Sequence, residues 1–528
     1  MVEGTPPSKG MVTSPHHLAS EAGLAVLKDG GNAVEACVAT AAALAVVYPH
    51  MTGIGGDGFW LVSEPDGSVY SINACGAAGE KVSLSLYEAA NLKTVPWRGP
   101  LAAITTAGTI SGWDAALEKT GSSLPLSRLL RDAAHYAREG VTVTQGGSDV
   151  AAAKDAELKD VPGYADVFRP AGEPLKAGDR LKQPALARTL ESLAEQGLRA
   201  FYEGDLANDI ADELEVVGSP LTRSDLQNHT AEFHEPLTMT VREARLFNTA
   251  PPTQGLTSLL ILSLFDRQDP NEAEGFDHIH GLVEATKQAF IRYRQIGLGD
   301  AAYMTASAQS VLDDTAAIEA MAADIDPTMA MPWPRPSQPG DTTWFGAADS
   351  EGRVVSVIQS TYFEFGSGIV LPKTGIVWQN RGASFRLAES GWNALKPGRK
   401  PFHTLNPALA KFHDGRVLAY GTMGGEGQPQ TQAAIFSRFA RFGVPLQEAV
   451  DRPRWLLGRT WGQQSISLKL EARFPKGLCD ALAKAGHDIE MVEDFSTLMG
   501  HAGAICLYPD GRMEGASDPR SDGAVATW

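Results

Sequence analysis

Apolar residues fill nearly every position of AVEACVATAAALAVV, from Ala33 to Val47, so the pattern predicts a helix buried on all its faces. A first helix, starting at about Leu18, stops at Gly30-Gly31, where glycine supplies the left-handed end. The glycine-rich TGIGGDGF comes after Tyr48, and period-two alternation then takes over. FWLVSE and GSVYSIN, joined by PDG, predict two strands and a tight turn. Helical periodicity dominates residues 124–211 and 276–323.

The pattern breaks at residues 326–341, DPTMAMPWPRPSQPGD. Pro332, Pro334, Pro336 and Pro339 exclude a helix or a central strand, and such a run suits an inter-domain linker. Hairpins dominate the C-terminal third of the chain: TTWFGAADSEGRVVSVIQSTYF, PALAKFHDGRVLAYGTM and AGAICLYPDGRMEGA each read as two strands about an acidic-glycine turn. Helices are expected near residues 428–442 and 475–486. Grouped strands with grouped helices predict a layered α+β body.

Composition narrows the function. Asp and Glu number 63 against 45 Lys and Arg, a formal charge of -18, which argues against nucleic acid as a partner. No apolar run reaches membrane-spanning length and no secretory signal opens the chain, so a cytoplasmic protein is expected. Cys37, Cys75, Cys479 and Cys506 are scattered without a CxxC pair, which predicts neither a disulfide framework nor a thiolate zinc site. The glycine loop at 53–58 follows a helix and precedes a strand, the reverse of the dinucleotide-binding order. His234-Glu235 has Thr238 where a zinc-protease helix needs histidine, and Gly366-Ser367-Gly368 lacks the spacing of a nucleophile elbow. No metal and no organic cofactor are therefore predicted.

Asp341-Thr342-Thr343 stands out by its setting, because a proline-rich segment delivers a Thr-Thr pair to the start of a strand. If the Thr342 hydroxyl attacks the Asp341 carbonyl, the resulting ester is opened by water and a new N-terminus appears. Its α-amine, with an ordinary pKa of about 7.7–8.0, can then deprotonate the adjacent hydroxyl, so one residue supplies nucleophile and base. Thr-Thr at a strand start is also common for purely structural reasons.

The surrounding motifs favour the catalytic reading. GMVTSPHHLASEAGLAVLKDGGNAVEA, GIGGDGF, LTRSDL, APPTQG, GDTTWFGAADSEGRVVSVIQST, FGSGIVLPKTGIVWQN, GTMGGEGQPQTQAA and GASDPRSDG together resemble the γ-glutamyltranspeptidase family of N-terminal-nucleophile hydrolases, from Gly10 to about Gly523. The resemblance implies a four-layer αββα sandwich formed jointly by a large chain, residues 1–341, and a small chain, residues 342–528, cut from one precursor. It allows homo-oligomers of that pair. Thr342 matches the family's nucleophile, Ser360 a supporting hydroxyl, and Gly424 and Gly425 the oxyanion-stabilising glycines.

At the substrate the pattern departs from authentic γ-glutamyl enzymes. Cys75 stands where the family has a carboxylate-binding arginine, Tyr362 and Ser384 replace the asparagine and aspartate of the amino-group site, and His403-Thr404 replaces paired serines. A glutamate moiety would lose its ion pairs. VWQNRGASF, PFHTLNPA and GTMGGEGQPQT are more similar to the cytosolic branch of the family that includes oxamate amidohydrolase. The expectation is a small anionic amide as substrate, with Tyr362 narrowing the site and Arg381 or His403 replacing the lost clamp. Arg381 could equally form a surface salt bridge, and His403 a satisfied core contact. A γ-glutamyl hydrolase or transferase, a glutaryl-type acylase and a non-catalytic homologue are the alternatives.

Overall fold

The computed structural model describes residues 8–333, 342–458 and 465–528. Two large antiparallel sheets face each other. In strand order, the seven-stranded sheet runs Ala524–Thr527, Gly10–Ser14, Thr343–Asp349, Val354–Ser360, Asp57–Ser63, Val69–Ala74 and Glu232–His234. The six-stranded sheet runs Met513–Ser517, Ala502–Leu507, Val417–Thr422, Ala408–Phe412, Ala244–Asn248 and Leu237–Thr240. The three hairpins expected from the alternation are present as Thr343–Asp349 with Val354–Ser360, Ala408–Phe412 with Val417–Thr422, and Ala502–Leu507 with Met513–Ser517.

Side-chain alternation sorts the strands into three packed interfaces. Phe59 and Leu61 point between the sheets, where they join Trp344, Ile358, Leu409, Ala419 and Ile505. Trp60 and Val62, one residue out of phase, point to the helices outside the first sheet. Ala408, Ala410, Leu418 and Tyr420 face the helices outside the second. Helix, sheet, sheet and helix thus form the αββα sandwich, and the period of two along each strand is its cause.

The Ala33–Val47 helix lies in the outer layer with all its residues buried, as its uniform apolarity requires. Asn32 and Glu35 form a reciprocal capping box at its start: the Glu35 amide donates to Asn32 Oδ1 at 3.0 Å and the Asn32 amide donates to Glu35 Oε2 at 2.8 Å. Burial would raise the Glu35 pKa, but hydrogen bonds from Asn32, Leu124, Ser122 and Ser123 outweigh it and hold the carboxyl below its ordinary value. All four cysteines are free thiols. No helix among the described residues is long and apolar enough to cross a membrane.

Candidate active site

Strand register assembles the site. Gln359 pairs with Thr343, and Ser360 pairs with Asp57 on the other side. Continuing the register by one residue sets Thr342 beside Ser360, and Asp57 beside Cys75 beyond it. Thr342, Ser360, Asp57 and Cys75 therefore form one row across the end of the sheet, about 4.8 Å apart from strand to strand. Thr342, Ser360 and Asp57 are all buried. Asp341, expected on the far side of the scissile bond, lies outside the described residues.

The second sheet brings the expected oxyanion turn to this row. Trp344 packs against Gly421 and Gly503, where a Cβ would sit only 2.1 and 2.5 Å from the indole, so two glycines are required for this close approach. One turn beyond, Gly424 and Gly425 adopt φ of 117° and 55°, in the left-handed region that favours glycine. Their amides find no acceptor among the described residues. The side chain of Gln254 fixes this turn by donating to Gly425 O at 2.7 Å and to Thr404 O.

A residue that sequence reasoning missed joins the turn to the nucleophile candidate. Gln428 Nε2 donates to Thr342 Oγ1 at 2.6 Å, while Gln428 Oε1 accepts from the Asn406 amide and side chain, both at 3.3 Å. Ser360 Oγ accepts from the Tyr362 amide at 2.8 Å. Tyr362 has φ of 85°, a conformation costing a non-glycine residue about 1–3 kcal/mol, and is held there by this bond and by the Phe363 amide bond to Asn380 at 3.0 Å.

Arg381, on a short 3₁₀ turn, is not exposed, and no described residue pairs with it in a salt bridge. It is 1 % exposed, and its guanidinium lies over the Tyr362 ring, 3.8 Å from the centroid. Nor is His403 a satisfied core histidine. Its Nε2 stands 3.5 Å from Asp57 Oδ2, too far for a hydrogen bond. Arg381 Nη1 and Nη2, both His403 ring nitrogens, Asp57 Oδ2 and Thr404 Oγ1 are buried without a hydrogen-bond partner among the described residues. Buried polar atoms are nearly always paired, so this unused hydrogen-bonding capacity makes a candidate seat for a polar ligand. Ser384 points elsewhere: its hydroxyl donates to Phe402 O at 3.4 Å and its carbonyl accepts from Asn393 at 2.7 Å.

The seat is electrostatically unusual. Burial pulls the Arg381 pKa down to about 10, offset by the Tyr362, Asp57 and Cys75 side chains, so the guanidinium stays charged at neutral pH. Burial pushes Asp57 up to about 7 against the opposing pull of Arg381 and of bonds from Gly76, Gln379 and Gly108. Burial, with Arg381 and Lys400 nearby, drives His403 well below its ordinary value and keeps it neutral.

A second buried cluster has another chemistry. His280, Glu284 and His487 bring ligand atoms within 4.8 Å of one another. Lys287 Nζ already stands 2.6 Å from Glu284 Oε1, His280 and His487 are hydrogen-bonded at 2.9 Å, and His280 Nε2 binds Asp326 O at 2.8 Å. The ammonium thus supplies the positive charge. The pair also grips the backbone of Met331, whose carbonyl accepts from Lys287 at 2.6 Å and whose amide donates to Glu284 at 3.0 Å.

Comparison with known proteins agrees with this architecture. A profile of the gamma-glutamyltranspeptidase family matches residues 19–528. The chain is 52% identical over 521 residues to the oxamate amidohydrolase proenzyme of Klebsiella pneumoniae, covering 98% of each protein. It is 40% identical to the glutathione hydrolase-like YwrD proenzyme of Bacillus subtilis, again over 98% of each. The crystal structure of cephalosporin acylase from Bacillus halodurans superposes with a TM-score of 0.90 at 32% identity, over 100% of this chain and 99% of that one. The chain belongs to the gamma-glutamyltranspeptidase family.

Proposed function

We propose that this protein is a self-processing amidohydrolase that cleaves a small anionic amide of the oxamate type through an acyl-enzyme on Thr342. The observation that carries the proposal is the Arg381 seat: a fully buried, charged guanidinium with unpaired Nη atoms, near the row that contains Thr342. A buried unpaired cation is costly, and a carboxylate ligand removes that cost. The family and the proenzyme relatives support a hydrolase of C–N bonds made as one precursor.

Cleavage before Thr342 gives chains of residues 1–341 and 342–528, which together form one catalytic body. The freed α-amine of Thr342 takes the proton of its own hydroxyl, and Oγ1 attacks the amide carbonyl. Gln428, donating to Oγ1, orients the oxygen. The oxyanion meets the Gly424 and Gly425 amides, which need no rearrangement because the turn is already held by Gln254. Collapse passes the proton to the departing amine and leaves an ester, which water opens by the same path in reverse. Tyr362 covers one face of Arg381 and limits the length of the acyl group. Thr404, with an unpaired hydroxyl, and His403 contribute polar contacts, and Ser384 holds the loop behind them.

The test is a comparison of kcat/KM on oxamate, a γ-glutamyl anilide and a glutaryl amide. Oxamate should lead by at least tenfold. Preference for either longer acyl group overturns the substrate assignment while leaving the nucleophile intact.

A further inference from the structure

Arg381 shares its seat with a carboxyl group that has no obvious purpose. Asp57 sits in the row with Thr342 and Ser360, 1 % exposed, inside the glycine-rich loop. Three donors hold its Oδ1: the Gly76 amide at 3.2 Å, the Gly108 amide at 3.1 Å and Gln379 Nε2 at 3.0 Å. Its Oδ2 is left unpaired, 3.5 Å from His403 Nε2. One oxygen is fixed by the fold and the other is presented to the seat.

Counting charges shows the consequence. Before a ligand docks, a carboxylate at Asp57 partly offsets the Arg381 charge. A substrate carboxylate adds a second negative charge against the same guanidinium, in a buried region where like charges repel strongly. We propose that Asp57 is a further substrate-binding residue, which takes up one proton when a carboxylate docks on Arg381 and so sets the net charge the site accepts. This rests on the assignment of Arg381 as the anion seat. The protonated Asp57 offers Oδ2–H as a donor to the ligand or to His403, and the seat then matches a monoanion.

Among the surrounding side chains, burial and charge leave this role to Asp57. Cys75, next in the row, and Tyr202 are pushed above their ordinary values by burial, as is Tyr362, so none of them exchanges a proton near neutrality. Lys400 is paired with Glu232 at 2.6 Å. His403 is held neutral by burial and by the Arg381 and Lys400 charges. Burial pushes the Asp57 carboxyl from its ordinary range up to about 7, which puts its proton uptake within the working range.

The charge rule separates substrate from product. Oxamate carries one negative charge; adding water gives oxalate with two and an ammonium ion. The dianion exceeds what one guanidinium and a protonated Asp57 can balance, so the product is disfavoured as soon as it forms.

Calorimetric titration of the cleaved enzyme with glycolate, an unhydrolysable monoanion smaller than oxamate, tests this in HEPES and in Tris, whose ionisation enthalpies differ. At pH 8 the expected uptake is about 0.9 proton per glycolate, falling to about 0.1 at pH 6, from the Asp57 value of about 7. Glycolate affinity should be flat below pH 7 and weaken about tenfold per pH unit above it, and oxalate should bind at least tenfold more weakly than glycolate. Asp57→Asn keeps an oxygen for the Oδ1 contacts and should abolish the uptake, make affinity independent of pH, and bind glycolate about tenfold tighter than wild type at pH 8. Binding by the wild type without proton uptake overturns the inference and leaves the seat standing. Uptake that persists in Asp57→Asn overturns it in favour of His403 or of the freed Thr342 α-amine, whose ordinary pKa of about 7.7–8.0 lies in the same range. Absence of glycolate binding overturns the seat itself, and the inference with it.

Discussion

Replacing Arg381 with Met should separate binding from stability in a way few substitutions do. Among the described residues, the buried guanidinium has no ion pair and no bond to its Nη atoms. Its pKa falls from 12.5 to about 10, and at about 1.4 kcal/mol per pH unit this means roughly 3 kcal/mol lost in keeping the charge inside. Because the folded value lies below the unfolded one, that cost is fully present at pH 7 and diminishes only as pH rises through about 10. A Met of similar length removes the cost and keeps contact with Tyr362, so the thermal midpoint should rise or hold. Binding should respond oppositely. Losing one partner of a buried, hydrogen-bonded charge pair costs about 2–5 kcal/mol, which is roughly 30-fold to several-thousand-fold in affinity. Steady-state kinetics on oxamate and on neutral oxamide, with a thermal melt of each protein, provide the assay. KM for oxamate should rise at least 30-fold while that for oxamide changes little, and self-cleavage should proceed. An unchanged KM for the anion, or a midpoint lowered by several degrees, would refute the assignment of Arg381 as a functional charge held despite its cost in stability.

Three further substitutions probe other parts of the site. Gly424→Ala forces a Cβ onto φ of 117° and displaces an oxyanion amide, so kcat should fall about 10²–10³-fold with KM nearly unchanged, read by steady-state kinetics on material that has cleaved. Gln428→Leu deletes the 2.6 Å donor to Thr342 Oγ1 and should lower kcat about 10–100-fold, with glycolate affinity preserved in calorimetry. Lys287→Met leaves Glu284 buried without its cation, which should cost about 3–5 kcal/mol in denaturant unfolding and slow self-cleavage in a gel time course, because Met331 loses its carbonyl anchor ahead of the cleavage segment.

The fold was legible because its layers arise from local periodicity. Phe59-Trp60-Leu61-Val62 alternates between two cores, and Ala33–Val47, apolar all round, belongs in an enclosed helix layer. The acidic-glycine turns located the three hairpins in the same way. The site was only partly legible. Thr342, Ser360 and the Gly424-Gly425 turn carry recognisable motifs, but side-chain partners chosen by tertiary packing leave no periodic trace. Gln428 is 86 residues from Thr342, and nothing local distinguishes it from Gln430 or Gln432 on the same helix. In the sequence Asp57 is one residue of a glycine loop, and only the register beside Ser360 and the approach of His403 give its carboxyl a setting. Arg381 and His403 were both compatible with ordinary structural roles until burial and missing partners excluded them. An acidic residue in an otherwise glycine-rich loop, flanked by an apolar strand, was the one sequence signal that could have flagged Asp57.

Every step proposed for the site depends on Thr342 as the freed nucleophile, and intact mass spectrometry of wild type beside Thr342→Ala tests that dependence without a substrate. The expected result is two wild-type fragments whose masses sum to the 56.1 kDa precursor plus one water, the smaller beginning at Thr342, and a single uncut chain for the variant. A wild-type protein that remains whole, or a variant that is cut at the same bond, would contradict it.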